Sequence, residues 1–282
     1  MARTFIDNIR KTLLTNEELA TVERDLSFRP ANPGSARTLT AEQVETFNRD
    51  GFLRPLPAFG ADQTARLRRF FDGVLAETMA EGGDSYSVID PHLRYGWLYD
   101  LMFDPQFVEP IKDLIGPDLV CWSTHAFVKL PHDERQVAWH QDAYYWPLTP
   151  ARTVSVWLAV DDADRGNACM QFVTGSHRLG KIPHRLTRDE EKNVLRVTVD
   201  GVETYGRIAD VALRAGEMSL HSDMLLHGSG PNRSDRRRFG LTFRYVDADV
   251  RDLRDWSKFG VLICGEDRRG QWGNPPRPQR DE

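Results

Sequence analysis

Apolar positions in the first part of the chain recur at helical spacing. Leu67, Phe70, Phe71, Val74 and Leu75 fall at i, i+3, i+4 and i+7, so one apolar stripe runs along a helix from about Asp62 to Met79, closed by Gly82-Gly83. Shorter helices are expected from Thr15 to about Leu26, where Thr15 and Glu18 supply capping-box chemistry, and from Thr40 through Asn48, stopped by Asp50-Gly51. Another is expected over 107–115, before Gly116-Pro117. From Leu119 the period changes. Residues 119–130, 153–160, 169–173 and 241–246 are short, rich in Val, Phe, Trp and Thr, and separated by turn residues, and 210–226 continues in the same manner. Several short strands at regular spacing predict a mainly β core of jelly-roll type, with helices packed outside it. The expected organisation is a single domain over 1–282: a helical flank over 1–117, the β core over 118–250, and an extension over 251–282, irregular after Gly265. The polar stretch 182–206 reads as an excursion from the core, either a lid or a solvated loop.

Composition narrows the class. The 282 residues are 40% apolar and 28% charged, ordinary for a globular protein, and the net charge of −5 disfavours nucleic acid or an anionic membrane as the main partner. Cys121, Cys169 and Cys264 are odd in number and widely spaced, which suggests neither a disulfide framework nor a thiolate zinc site. No stretch reaches the roughly 18 apolar residues of a membrane span, and the charged N-terminus does not read as a signal peptide. A reduced, cytoplasmic compartment is the expectation. The oligomeric state is not encoded legibly.

The chemistry concentrates at Trp139-His140-Gln141-Asp142. On an extended strand, residues i and i+2 point the same way, so His140 and Asp142 can offer an imidazole and a carboxylate to one ion. A third ligand from a distant strand would complete a facial triad of two His and one carboxylate, which leaves positions on octahedral iron(II) open. His227, in Leu226-His227-Gly228-Ser229-Gly230-Pro231-Asn232, fits that place. A second His-x-Asp, His221-Ser222-Asp223, has only His227 beyond it and reads as part of a strand or pocket. His92, His125, His132, His177 and His184 read as surface or hydrogen-bonded core residues.

Four segments in order carry a resemblance: Trp-His-Gln-Asp-Ala-Tyr-Tyr-Trp-Pro-Leu at 139–148, Val-Trp-Leu-Ala-Val-Asp-Asp at 156–162, Thr-Gly-Ser-His-Arg-Leu-Gly at 174–180, and His-Gly-Ser-Gly-Pro-Asn-Arg-Ser-Asp at 227–235. From about Leu39 to Val246 the chain resembles the phytanoyl-CoA dioxygenase family, a branch of the iron(II)/2-oxoglutarate oxygenases. The resemblance implies a double-stranded β-helix fold and hydroxylation of a small molecule, using Fe(II), 2-oxoglutarate as cosubstrate and O2. It places the metal on His140, Asp142 and His227. It places the distal carboxylate of 2-oxoglutarate on Arg238, with further cosubstrate contacts at Trp157, Ser229 and His125. An upstream lysine that some members use for the cosubstrate has no counterpart. Asp142 stands where halogenating relatives carry Gly or Ala, which implies hydroxylation over halogenation.

A planar guanidinium suits the Arg238 role because it gives two parallel, charge-assisted hydrogen bonds to a carboxylate. Arg236 and Arg237 read instead as a solvated basic loop. If strand alternation continues past Asp142, Tyr144 and Trp146 share its side and contact substrate, while Tyr145 faces away. Aromatic faces there suit an apolar or a cationic substrate. Other outcomes on the same fold are desaturation, cyclisation or halogenation. A non-catalytic binding protein or a cupin-like metalloenzyme without 2-oxoglutarate are further alternatives.

Overall fold

In the computed structural model, Glu18 and residues 21–281 are described. The core is mainly β, in two sheets. The larger has six strands, in spatial order β1 (Phe52–Pro57), β10 (Glu217–Ser222), β5 (Thr153–Ala159), β12 (Arg238–Asp247), β2 (Leu119–Lys129) and β14 (Val261–Cys264). The smaller has four, in the order β3 (Val137–His140), β11 (His227–Ser229), β6 (Met170–Val173) and β9 (Ile208–Val211), and β4 (Leu148–Thr149) pairs separately with β13 (Arg251–Asp252). All neighbours within them pair antiparallel.

The outer face of the large sheet is closed by helices. On β12, Phe239, Leu241, Phe243 and Tyr245 join one core with Val44 and Phe47 of α1 (Ala41–Asp50), Leu67, Phe71, Val74 and Leu75 of α2 (Ala61–Ala80), and Phe107, Ile111 and Leu114 of α4 (Pro105–Ile115). A short α3 (Gly96–Leu101) precedes α4. The alternate residues Arg238, Gly240, Thr242 and Arg244 therefore turn inward. At Gly240 a Cβ would lie 2.0 Å from the Trp157 ring, so only glycine leaves that indole its place inside the barrel.

Local signals set most element ends. Thr40 and Gln43 form the capping box of α1, and Gly51, at φ +87°, ends it in the left-handed region. One expectation needs correction and two gain detail. Part of the helix predicted from Thr15 lies outside the described residues, and from Glu23 to Leu26 the chain is not helical. Within the mainly helical 1–117 flank, β1 is an edge strand, masked in the sequence by Pro55 and Pro57, with a register shift between Leu53 and Leu56. β14 likewise brings the 251–282 extension into the large sheet, although the residues after Gly265 form no helix or strand.

The stretch 182–206 is more ordered than a plain solvated loop. It folds as a ribbon of β7 (Arg185–Leu186) and β8 (Val197–Thr198), with Arg185 bridging Glu191 at 2.7 Å and Asp200 at 2.6 Å. The ribbon covers the free edge of β3: Val194 N–H donates to Gln136 O, Val199 N–H to Trp139 O, and Ala138 N–H to Asn193 Oδ1. It thus occupies backbone groups of the strand that ends in His140. Among the described residues no helix is long and apolar enough to cross a membrane.

Candidate metal centre

β3 and β11 pair so that His140 and His227 stand opposite each other. β3 stops at His140, Gln141 remains extended, and Asp142 opens a single turn, α5 (Asp142–Tyr145). Among the described residues, ligand atoms of His140, Asp142 and His227 lie within 4.8 Å of one another, all three side chains buried. His140 Nε2 is 3.5 Å from Asp142 Oδ1. His140 Nδ1 is 2.7 Å from Ala138 O and His227 Nδ1 is 3.0 Å from Leu225 O. A carbonyl can only accept, so each Nδ1 carries the proton and each Nε2 presents a lone pair to the centre. Burial pushes the Asp142 carboxyl up, but its close polar contact with His140 and the positive charge of Arg244 outweigh it and hold the group well below the usual carboxylate range. A carboxylate and two neutral imidazoles, with no thiolate, suit iron(II).

His221 stays outside the triad. On β10, its ring packs 5.1 Å from those of His227 and Phe172, and Asp223 Oδ2 accepts from Thr153 N–H at 3.1 Å. His92 pairs with Thr124 Oγ1, His132 with Asp235, and His177 with Asn48 O, as structural histidines do. His184 stacks on Tyr144 and accepts from Gln141 N–H.

Burial, acting first, depresses His177 and His221 to about 4 and His227 to about 3. In the unfolded chain each takes a proton near pH ~6.5, so unfolding takes up protons over the window from there down to about 4, and stability falls with pH. Asp223, raised by burial to about 7, has the opposite sign and offsets one of them. Burial likewise depresses His125 to about 3 and His184 to about 4, so chelator-treated protein should lose about 1.4 kcal/mol per pH unit for each net proton taken up on unfolding through this window. Thermal melts at successive pH values check this, and a flat profile would mean these histidines are not buried neutral.

A second feature lies at the start of β12. Arg238 is 1% exposed, and its Nε and Nη2 atoms have no hydrogen-bond partner. That is the edge with which Arg277 grips Asp100 and Arg49 grips Asp50. Its register partner on β2 is Lys129, whose Nζ donates to Gly230 O at 2.7 Å and Arg135 O at 2.9 Å. Burial and its neighbour's charge bring Lys129 down to about 7, and burial brings Arg238 to about 10. Two adjacent buried cations with an open bidentate edge make a cradle for a carboxylate. Trp157 stands 5.5 Å from the guanidinium, and Ser229 is buried on β11. His125 faces Thr242 across the β2–β12 pair and donates from Nε2 to Tyr86 O. Tyr86, which carried no local sequence signal, sits beside Arg238 with a buried hydroxyl lacking a well-placed partner. Arg236 pairs with Asp164 at the surface, while Arg237, expected in a solvated loop, is partly buried and pairs with Asp161 and Asp72.

Strand alternation fails after Asp142. The turn of α5, held by Arg24 Nη1 donating to Ala143 O and Trp146 O, swings Tyr145 back toward His140, with ring centroids 5.9 Å apart. Tyr145, expected to face away, is the tyrosine beside the metal centre. Tyr144 stacks on His184 at 4.0 Å, and Trp146 packs edge-on to Trp122 at 4.9 Å. Lys129 and Arg244 were also missed. Their signal was present as a charge within an otherwise apolar strand.

The sequence profile of the phytanoyl-CoA dioxygenase family matches residues 47–240, a stretch that includes every residue of the triad and Arg238. The chain belongs to the phytanoyl-CoA dioxygenase family. Among curated relatives, the bovine peroxisomal phytanoyl-CoA dioxygenase is 24% identical over 152 residues, which cover 51% of this chain and 44% of that protein. A probable alpha-ketoglutarate-dependent hypophosphite dioxygenase of Stutzerimonas stutzeri is 26% identical over 183 residues, 61% of each chain. The chain thus spans about half the length of these relatives. Among solved structures, the non-heme monooxygenase ThoJ in its apo form superposes with a TM-score of 0.70 at 29% identity, covering 84% of this chain and 88% of that one. The geometry fits what the phytanoyl-CoA dioxygenase family uses: His140, Asp142 and His227 would hold iron(II), and Arg238 with Lys129 would receive 2-oxoglutarate.

Proposed function

We propose that this protein is an iron(II)- and 2-oxoglutarate-dependent oxygenase that hydroxylates a C–H bond of a small organic molecule. The observation that carries the proposal is the pairing of an open facial triad with the unpaired bidentate edge of Arg238 inside one barrel. When bound, iron(II) with 2-oxoglutarate couples reduction of O2 to oxidative decarboxylation, yielding succinate and CO2 as one oxygen atom enters the substrate. The chain's own part is placement. His140, Asp142 and His227 would hold the ion through three side chains, fewer ligands than iron(II) takes. Arg238 fixes the far carboxylate, and Trp157 and Thr242 wall the passage between. Ser229, His125 and Tyr86 are assigned to the cosubstrate site, supported by the burial of Ser229 and the contact of His125 with Tyr86, while Tyr145 stands beside His140.

The test is anaerobic loading with Fe(II) and 2-oxoglutarate, then oxygen and a panel of candidate substrates. One succinate per product, and a product heavier by one oxygen atom, are expected. A product that has lost two hydrogens would move the reading to desaturation or cyclisation, and a halogenated product in excess chloride would overturn it. Binding of 2-oxoglutarate without succinate release would leave a sensor.

A further inference from the structure

The inner face of β12 carries a second buried guanidinium. Arg244 lies six residues beyond Arg238 on the same face, roughly 20 Å along an extended strand at ~3.4 Å per residue. It is 8% exposed, yet no carboxylate among the described residues lies within ion-pair distance of it. Nη1 donates to Ser123 Oγ at 3.2 Å, while Nε is buried without a partner. Arg238 likewise leaves its Nε without a partner, and Nε is among the donors with which Arg49 and Arg277 hold carboxylates.

Aromatic rings enclose this group. Its Cζ is 5.3 Å from the Trp146 ring, 5.9 Å from Phe127 and 6.0 Å from Trp122. Trp122 Nε1 is another buried donor without a partner. Rings around a guanidinium offset part of its desolvation, but they cannot satisfy the unpartnered Nε–H. Arg244 stands in register with Ser155, and Ser155 with His221, whose ring packs 5.1 Å from that of His227, so this box lies on the metal side of the barrel. A dicarboxylate anchored on Arg238 cannot also fill it.

We propose that Arg244 is the anchor for an oxyanion of the oxidised substrate, so that the substrate is an organic acid, a carboxylate by preference, whose apolar body lies against Trp122 and Trp146. The proposal rests on the oxygenase reading for the identity of the site, and it replaces the open choice between apolar and cationic substrates. Arg244 would act as a specificity-determining residue: it meets the substrate's charged end and so fixes which carbon reaches the metal.

The experiment uses full-length protein, iron-loaded and anaerobic, with and without 2-oxoglutarate. The probes are 3-phenylpropionate, 2-phenylethyl phosphate and the neutral 3-phenylpropanamide, followed by quenching of tryptophan fluorescence. Wild type should bind the carboxylate at least tenfold more tightly than the amide, and comparison with the phosphate shows which oxyanion fits. Arg244→Gln should lose that preference, and Arg244→Lys should keep part of it, because the charge remains without the fork. Affinity for 2-oxoglutarate should stay within about twofold in both variants. If Arg244→Gln does not fold, the wild-type preference and Arg244→Lys still decide the matter. Equal binding of acid and amide, no binding by any probe, or loss of 2-oxoglutarate affinity on changing Arg244 would each overturn the proposal. Failure of wild type to bind 2-oxoglutarate would instead strike the oxygenase reading, and leave the acid-versus-amide comparison standing.

Discussion

Arg238→Leu should cost 2-oxoglutarate about 2–5 kcal/mol of binding free energy, roughly thirtyfold to a few thousandfold in affinity. The loss is large because the leucine removes both hydrogen bonds to one carboxylate and leaves that charge buried. Lys129 stays close, but its ammonium is already engaged by Gly230 O and Arg135 O. It can supply charge and cannot supply a fork. Arg236 and Arg237 cannot take over either, since each is held by surface carboxylates. Arg238→Lys should recover only part of the affinity, because an ammonium does not reproduce the planar geometry. Anaerobic calorimetry reads all three proteins. Unchanged affinity in Arg238→Leu would remove Arg238 from the cosubstrate site.

Loss of iron should be complete in His140→Ala and in His227→Ala. Either variant keeps one imidazole and one carboxylate, which is too few to hold a divalent ion against water. His221→Ala should retain iron within about tenfold, as expected for a residue that packs against a ligand without donating to the ion. Both His-x-Asp motifs lie in the barrel, so titration with Fe(II) of these three variants decides between them. Retention of iron by His140→Ala together with its loss from His221→Ala would reverse the assignment.

Much of this was legible from the chain alone, where a local rule governs. The stripe from Leu67 to Leu75 gave α2 almost to its observed ends, and the motif at 139–142 with His227 named the triad. The misses share one physical origin: the deciding contact is remote. Tyr145 faces the metal centre because Arg24, far earlier in the chain, draws three backbone carbonyls into the turn after Asp142. β1 joins the sheet through β10, although its prolines argue against a strand. Tyr86 reaches Arg238 from a segment without periodicity. The ribbon of 182–206 looks solvated because its work is done by backbone groups, on the open edge of β3, where side-chain polarity carries no information.

The two ligand histidines take their orientation from carbonyls two residues back in their own strands, Ala138 O and Leu225 O. No side chain of the substrate wall holds either ring. The aim of the two imidazoles is therefore separable from the surface that chooses the client. Trp122, Trp146 and Arg244 can be exchanged across generations, or in a library, without re-aiming an imidazole. One scaffold can in this way pass from one acid to another, or from acids to neutral compounds, while the oxidising machinery remains in service at every step.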